Sequence, residues 1–303
     1  MSQAGGASGS IYDLGYQGYE GPRLGRPTVA LGLLTQTLRA AYGIGRGGRA
    51  KIMPFLMLAL SVLPAILAVG IAALAAQAGA GVALEEASPI RHDTYQNLTS
   101  TLVMLFCAAQ APELFGRDQR HGVLPLYFSR VLTRVDYALA RAGGLFLAIF
   151  VISIVPQLIL TVGAILAAPD PLTGLREDLP EIPRYLIVAL LASALLGGVA
   201  TVIAAWTPRR AYATAAIIAV FIIPPIVVAL MAELAVGDLA RVLVLASPSD
   251  IVDGVNAAVF DAPSPNPTIV AANLPGWTYI VAALVETAAC VVLVLRRYLG
   301  ITA

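Results

Sequence analysis

The sequence predicts an all-α, polytopic membrane protein with six transmembrane helices. Hydrophobic residues make up 58% of the 303-residue chain and charged residues 12%, which is about half the charged fraction of a soluble domain. The apolar residues lie in runs of about 20, the length at which a helix spans the hydrocarbon core. Because lipid offers the backbone amides no partner, helices are the default spanning element. The chain lacks the short alternating segments that are typical of a membrane β-barrel.

Six apolar runs are the predicted spans. Their approximate bounds are residues 52–77, 95–111, 142–168, 185–206, 212–234 and 277–295. The second run is shorter and less apolar than the others. Prolines inside the runs predict kinks rather than breaks, because neighbouring helices can satisfy the freed carbonyls. Together the runs define a membrane domain over residues 52–303.

The distribution of basic residues predicts the orientation of the spans. Fifteen of the 19 Lys and Arg residues lie in the N-terminal segment, in the connections after the second and fourth runs, and at the C-terminus. The remaining connections hold only Arg91, Arg176, Arg184 and Arg241. Since an even number of spans places both termini on one side, we expect cytoplasmic termini and a location in the cell inner or plasma membrane.

Two segments precede the first span. Residues 1–26 are polar and rich in Gly and Tyr, without the apolar core of a signal peptide, and predict a flexible cytoplasmic tail. Residues 27–51 predict an interfacial amphipathic helix, which Pro27 suits as a first residue. One face of this helix would collect Ala30, Leu31, Leu34, Leu38, Ala41 and Tyr42. A helix packed against a partner is the alternative.

The long connection 235–276 precedes the last span. Within it, Ser247 suits a helix N-cap and Pro248 the first turn, while Ile251, Val255 and Val259 repeat at helical spacing. We therefore expect a short helix that caps or re-enters the outer leaflet.

Several motifs are excluded by their context. Residues 43–48 match G-x-G-x-x-G, but no strand precedes them, so they do not predict a dinucleotide site. His92 and His121 are the only histidines and lie on opposite sides of the membrane, so they cannot jointly bind a metal. Cys107 and Cys290 lie inside spans, where a free thiol behaves as a small apolar residue. We expect no metal, cofactor or catalytic site in this chain.

The sequence also excludes one energy source. A Walker A loop needs a lysine that reaches the terminal phosphates, followed by Ser or Thr. The single lysine, Lys51, is followed by Ile52, so the chain has no ATPase site of this kind. Any ATP-driven function would depend on a partner chain. The net charge of +1 argues against nucleic-acid binding.

The strongest functional pattern is the stretch 112–141, PELFGRDQRHGVLPLYFSRVLTRVDYALAR. It is amphipathic and rich in arginine, and it joins two spans on the predicted cytoplasmic side. A short helix in such a stretch could lie in a cleft of a soluble partner and transmit its motion to the spans. An ordinary positively charged loop is the alternative.

This stretch resembles the corresponding region of type-2 ABC transporter permeases. In that family an acidic residue, a glycine, a Leu-rich run, a Ser and an Arg precede a basic residue that opens the third span. The matching residues here are Asp118, Gly122, Leu124, Leu126, Ser129, Arg134 and Arg141. The family usually has proline where Val131 stands and lysine where Arg141 stands. The layout of an interfacial helix, six spans and a long outer connection is also similar.

The resemblance implies the permease subunit of an exporter of lipids, drugs or peptide-like substrates. It would pair with a second, identical copy and with two cytoplasmic ATPase subunits, which bind the ATP and Mg²⁺. The loop would then be the coupling helix. Gly122 would permit a tight turn, and Arg130 and Arg134 would meet acidic groups or lipid phosphates at the rim. The expected apolar contacts come from Leu124, Leu126, Tyr127 and Phe128.

Glu286 lies near the middle of the last span. An ionisable residue at that depth is costly, and functional and structural hydrogen-bonding roles are equally consistent with the sequence. Two rival functions remain open: a non-transporting membrane scaffold or sensor, and an ion-coupled secondary carrier. The carrier would need more intramembrane charges and often an internal repeat, whereas the sequence offers Glu286 alone.

Overall fold

Six long helices dominate the computed structural model, which describes residues 21, 25–77, 90–129, 131–168, 170–234 and 241–301. Each is long and apolar enough to cross a membrane, and these residues contain no β-strand. The chain is therefore an all-α, multi-pass membrane protein, as predicted. The helices are α1 (Arg26–Ala41), α2 (Arg49–Gln77), α3 (His92–Arg120), α4 (Leu124–Phe128), α5 (Arg134–Ala167), α6 (Pro171–Asp178), α7 (Glu181–Trp206), α8 (Arg210–Glu233), α9 (Pro248–Phe260), α10 (Pro267–Ala272) and α11 (Gly276–Leu299).

The spanning helices are α2, α3, α5, α7, α8 and α11, and they alternate in direction. We call the end of the bundle that contains α1, α4 and the C-terminus of α11 the basic end. Contacts between distant parts of the chain join the helices there. The Gln119 Nε2 donates to the Ala205 carbonyl at 3.0 Å, and the Arg134 Nη1 donates to the Leu299 carbonyl at 3.3 Å. The opposite end contains α6, α9 and α10.

Helices α3, α5 and α7 form the centre of the bundle. Large side chains from all three are fully buried in one core, including Phe106, Ile149 and Leu195. The approach of α5 and α7 is close, since a Cβ added at Gly197 would lie 3.0 Å from the Ile149 Cδ1. Helices α2, α8 and α11 lie at the periphery and bury much less of their apolar surface.

Helix α1 packs across the basic half of α5. Its buried residues are Leu33, Thr37 and Ala41, and Gly144 of α5 makes the approach possible, because a Cβ there would lie 2.5 Å from the Thr37 Cβ. Five of the six residues of the predicted apolar face are buried or packed against the core, namely Ala30, Leu34, Leu38, Ala41 and Tyr42. Leu31 is the exception, since it is 61% exposed, and the helix ends at Ala41 rather than at the predicted residue 51. The predicted tail at 1–26 lies outside the described residues except for residues 21, 25 and 26.

Two predicted span boundaries are corrected. Helix α3 continues from the predicted end at residue 111 to Arg120, and α5 begins at Arg134 rather than near residue 142. The start of α5 is fixed by a capping box, in which Thr133 Oγ1 accepts from the Asp136 amide at 3.2 Å and the Asp136 carboxylate accepts from the Thr133 amide at 2.9 Å. The connection between these spans is thus residues 121–133, much shorter than the predicted stretch 112–141.

The expected helix in the connection before the last span is present as α9. Ser247 is its N-cap and Pro248 its first residue, as predicted. Ile251 and Val255 are buried, and a Cβ at Gly254 would collide with the Tyr279 ring of α11 at 2.3 Å. Helix α9 therefore packs among the spanning helices at the opposite end of the bundle.

Candidate functional site

A tight turn at Gly122 separates α3 from α4 at the basic end. Its φ of +62° lies in the left-handed region that favours glycine. The Val123 amide donates to the Asp118 carbonyl and the Gly122 amide donates to the Gln119 carbonyl, both at 3.2 Å. These are the two hydrogen bonds of a Schellman motif, which terminates a helix. The turn expected at Gly122 is thus present, and we call residues 121–133 the connecting segment.

Aromatic rings hold α4 against the ends of two spans. The Tyr137 ring of α5 lies 5.3 Å from the Tyr127 ring and 5.8 Å from the Phe128 ring, measured between centroids. On its other side it lies 5.3 Å from the Tyr298 ring of α11. Leu124 is also buried in the core of the protein. Movement of α4 would therefore displace side chains that belong to α5 and α11.

A buried ion pair lies beneath this aromatic cluster. The Asp118 carboxylate of α3 accepts hydrogen bonds from the Arg141 guanidinium and, at 2.7 Å, from the Tyr137 hydroxyl. The side chains of Asp118 and Arg141 are only 13% and 8% exposed. Since a carboxylate and a guanidinium removed from water need each other, this contact ties α3 to α5 where the connecting segment leaves them.

Arg134 completes the attachment of the segment to the spans. Its guanidinium lies 5.8 Å from the centroid of the Phe128 ring, within the range of a cation–π contact. Its Nη1 also donates to the carbonyl of Leu299 in the last turn of α11. Arg134 is therefore engaged within the chain, in addition to any role that it has toward a partner.

The opposite face of the connecting segment is apolar and open. Leu126 is 68% exposed and Val131 52% exposed. Ser129 is exposed, and its Oγ donates to the Leu126 carbonyl at 3.1 Å. Arg130 lies outside the described residues. The segment thus has an inner face, formed by Leu124, Tyr127 and Phe128, and an outer face, formed by Leu126 and Val131.

The sequence matches no protein-family model, and no curated protein is detectably similar to it. The function of the chain must therefore be inferred from its residues and their geometry.

Glu286 lies in α11, far from the connecting segment. Its side chain is half-buried, and within the described residues it makes no hydrogen bond or ion pair. The neighbouring residue on the exposed side of the helix, Val285, is 61% exposed. The carboxylate thus lies on a peripheral span without a polar partner from the described part of the chain.

A second polar cluster lies at the opposite end, around His92. The Gln157 Oε1 lies 2.6 Å from the His92 Nδ1, and the Asp178 Oδ1 lies 3.2 Å from the Nε2. Both ring nitrogens thus face an acceptor oxygen. Each can donate a hydrogen bond when both nitrogens carry a proton. Burial raises the pKa of Asp178, but the hydrogen bonds from His92 and Thr161 outweigh it and hold that pKa below its ordinary value. In the described ranges, no three His, Cys, Asp or Glu side chains could hold a metal ion.

The sequence did not single out Tyr137, which contacts the connecting segment, or Tyr298, which packs against the Tyr137 ring. A local signal existed for Tyr137, since it precedes Arg141 by four residues and therefore shares its helix face. The role of Tyr298 depends on the approach of the last helix to the third span, which no local pattern reveals.

Proposed function

We propose that this chain is the membrane-spanning permease subunit of an ATP-driven exporter of the ABC type. The observation that carries the proposal is the two-faced connecting segment at the basic end. A coupling element must present an outer surface to a soluble ATPase and be attached firmly to the spans that it moves. The exposed pair Leu126 and Val131 meets the first requirement. The packing of α4 on Tyr137, which in turn contacts Tyr298, supports the second.

The sequence pattern assigned all the apolar residues of the segment to one contact with the partner, whereas the inner and outer faces would have different roles. Leu126 and Val131 would enter the cleft of the ATPase, since a few buried large side chains supply most of the energy of an interface. Leu124, Tyr127 and Phe128 would transmit motion inward to α5 and α11. Ser129 and Gly122 would maintain the shape of the turn, and Arg130 would contribute a charge at the rim.

The complete transporter would contain two copies of this chain and two ATPase subunits. The ATPases would bind and hydrolyse ATP with Mg²⁺, and this chain would supply the path across the membrane. The outer faces of α2, α8 and α11, which the chain leaves largely uncovered, offer surface for a second copy and for lipid. The substrate would be a lipid, a drug or a peptide-like molecule.

The orientation follows from the positive-inside rule: the basic end faces the cytoplasm, and both termini lie there. Cysteine labelling tests it in a variant whose native Cys107 and Cys290 are replaced by alanine. His121→Cys and Asp261→Cys place exposed thiols at the two ends. An impermeant thiol reagent added to intact cells should label Asp261→Cys and not His121→Cys. The reverse pattern would overturn the orientation and the coupling role together.

The test of the function itself is co-purification with a candidate ABC ATPase, for which an ATPase gene found beside the gene of this chain would be the first choice. Leu126→Asp combined with Val131→Asp should weaken ATPase binding at least about tenfold, because both side chains would place a charge in an apolar cleft. Leu299→Asp is the matched control, since Leu299 is a 54% exposed apolar residue at the same end outside the connecting segment. It should leave binding unchanged.

Three outcomes would count against the proposal. An ATPase that binds the double variant as tightly as the wild type would remove the coupling role. Equal loss in the control would indicate a general effect of charge at the basic end. Specific binding of a soluble protein other than an ATPase through Leu126 and Val131 would favour the scaffold or sensor.

A further inference from the structure

A polar pocket of about 670 Å³ opens at the basic end between α1 and α3. Its walls come from α1, from the glycine-rich turn after α1, and from α3, with single contributions from α4 and α5. Four arginines line it, namely Arg39, Arg46, Arg117 and Arg141, together with the carboxylates of Glu113 and Asp118. The pocket is thus a concave site with an excess of positive charge.

The two carboxylates are already neutralised. Glu113 accepts from Arg46 at 3.0 Å and lies 3.3 Å from Arg210, which approaches from outside the pocket lining. Asp118 is paired with the Arg141 guanidinium and accepts the Tyr137 hydroxyl. Arg39 and Arg117 make no ion pair with any described residue. Their charges are therefore available to an anion that enters the pocket.

One buried donor points independently to a missing acceptor. The Arg141 side chain is 8% exposed, and its Nε has no hydrogen-bond partner within the described part of the chain. A buried N–H without an acceptor carries the full cost of its desolvation, so such groups call for an explanation. Arg141 lines the pocket, and its guanidinium keeps donor capacity beyond the pair with Asp118, because it carries five N–H donors.

We propose that this pocket binds a phosphate ester. Guanidinium groups suit phosphate oxygens because their planar donors can engage two oxygens at once. Arg39, Arg117 and Arg141 come from three different helices, and a phosphate has enough oxygens to accept from all three. The ester is either the headgroup of a phospholipid or a soluble phosphate. The inference does not depend on the proposed ATPase coupling.

Occupancy of the pocket would link α1 to the connecting segment. Tyr127 of α4 also lines the pocket, and its ring packs against Tyr137. A phosphate held between Arg39 of α1 and Arg117 of α3 would therefore fix the interfacial helix next to α4. The ligand would act as a structural part of the basic end.

Thermal unfolding of the full-length protein in neutral detergent tests the proposal with three probes. Dioctanoyl phosphatidic acid carries the phosphate on a lipid, methyl phosphate carries it without chains, and dioctanoylglycerol carries the chains without phosphate. A ligand that binds the folded state raises the unfolding temperature in a saturable way. We expect saturation with phosphatidic acid and no comparable effect of dioctanoylglycerol. Saturation with methyl phosphate as well would identify a soluble phosphate as a ligand, and its absence would identify a lipid headgroup.

The variant Arg39→Gln with Arg117→Gln removes the two unpaired charges and leaves the Arg141–Asp118 pair intact. It should bind the phosphate probe at least about tenfold more weakly, since each charged hydrogen bond contributes about a factor of ten. The control Arg120→Gln with Arg296→Gln removes the same charge from exposed positions of the basic end outside the pocket, and should stay within about twofold of the wild type. Arg39→Lys with Arg117→Lys keeps the charge and should bind with intermediate affinity, which separates a loss of binding from a loss of folding.

Unchanged affinity in the pocket variant would overturn the proposal. Equal weakening in the control would do the same, because it would show that surface charge alone attracts the probe. An equal effect of dioctanoylglycerol would show that the acyl chains alone account for the binding, and it would exclude a phosphate site.

Discussion

The central spans and the peripheral spans differ in how much of their apolar surface the protein itself buries. In the most apolar window of each helix, 56% of α3, 56% of α5 and 50% of α7 is buried inside the protein, against 17% of α2, 17% of α8 and 22% of α11. The central spans can therefore carry charged residues, because the protein supplies their partners. The peripheral spans leave most of their apolar surface uncovered by the protein, so that surface needs lipid or another chain.

Polar residues follow this division. Asp118 and Arg141 join α3 to α5 at the basic end, and His92 and Gln157 join the same two helices at the opposite end. Glu286 is the contrasting case, since its carboxylate lies within the peripheral α11 and makes no polar contact with the described residues. The central spans thus form the frame of the bundle, while α11 carries a carboxylate for which the described residues supply no polar partner.

The largest expected effect comes from breaking the central ion pair. Asp118→Ala leaves the Arg141 guanidinium buried without its partner, which should destabilise the protein by about 3–5 kcal/mol. Arg184→Ala is the control, since it removes an ion pair at the exposed start of α7, where the Arg184 side chain is 42% exposed. It should cost less than about 1 kcal/mol. Denaturant unfolding in detergent micelles measures both, and equal effects would contradict the central frame.

A pair of glycines tests the packing of α1 on the frame. A Cβ at Gly144 of α5 would lie 2.5 Å from the Thr37 Cβ and 2.9 Å from the Leu34 carbonyl oxygen, whereas one at Gly70 of α2 meets nothing within 4 Å. Gly144→Ala should therefore cost about 1–3 kcal/mol. Gly70→Ala should be neutral or stabilising by up to about 1 kcal/mol, because alanine is the better helix former. Thermal unfolding compares the two, and a harmless Gly144→Ala would show that α1 is not seated on α5.

The smallest effect on stability is expected at the periphery, at Glu286. Glu286→Ala should leave folding and assembly intact, since the carboxylate has no partner to lose among the described residues. It should nevertheless reduce transport-stimulated ATP hydrolysis if the group meets substrate or water in the membrane. Val285→Ala on the same helix is the control and should leave hydrolysis unchanged. Wild-type activity of Glu286→Ala would show that the carboxylate has no role in transport and is only tolerated in the span.

Short-range sequence patterns predicted the helices that neighbouring residues determine. Apolar runs located all six spans, and Ser247 with Pro248 located α9. The ends of α3 and α5 were predicted wrongly because Asp118 and Arg141 are typical of a solvated loop. The glycine turn at Gly122 and the capping box at Thr133 mark the actual ends. The apolar face of α1 was predicted except for Leu31, whereas its packing on α5, where Gly144 makes room for Thr37, could be seen only in the fold.

The candidate site could be predicted only in outline. Gly122 and the apolar character of 124–128 are visible in the sequence, and the turn and short helix are both present. Which apolar side chain faces inward is decided by Tyr137 and Tyr298, and these come from two other helices. The division between an inner and an outer face, on which the proposed function depends, therefore required the fold.

Uncoupling the two faces of the connecting segment tests the central claim most directly. Tyr127→Ala with Phe128→Ala removes the rings that contact Tyr137 and leaves Leu126 and Val131 in place. With the chain and the proposed ATPase partner in proteoliposomes, we predict that the ATPase still binds within about twofold of its normal affinity, while the chain no longer stimulates ATP hydrolysis. Normal binding together with normal stimulation would contradict the account, because the motion of the ATPase would then reach the spans without the aromatic contact between α4, α5 and α11.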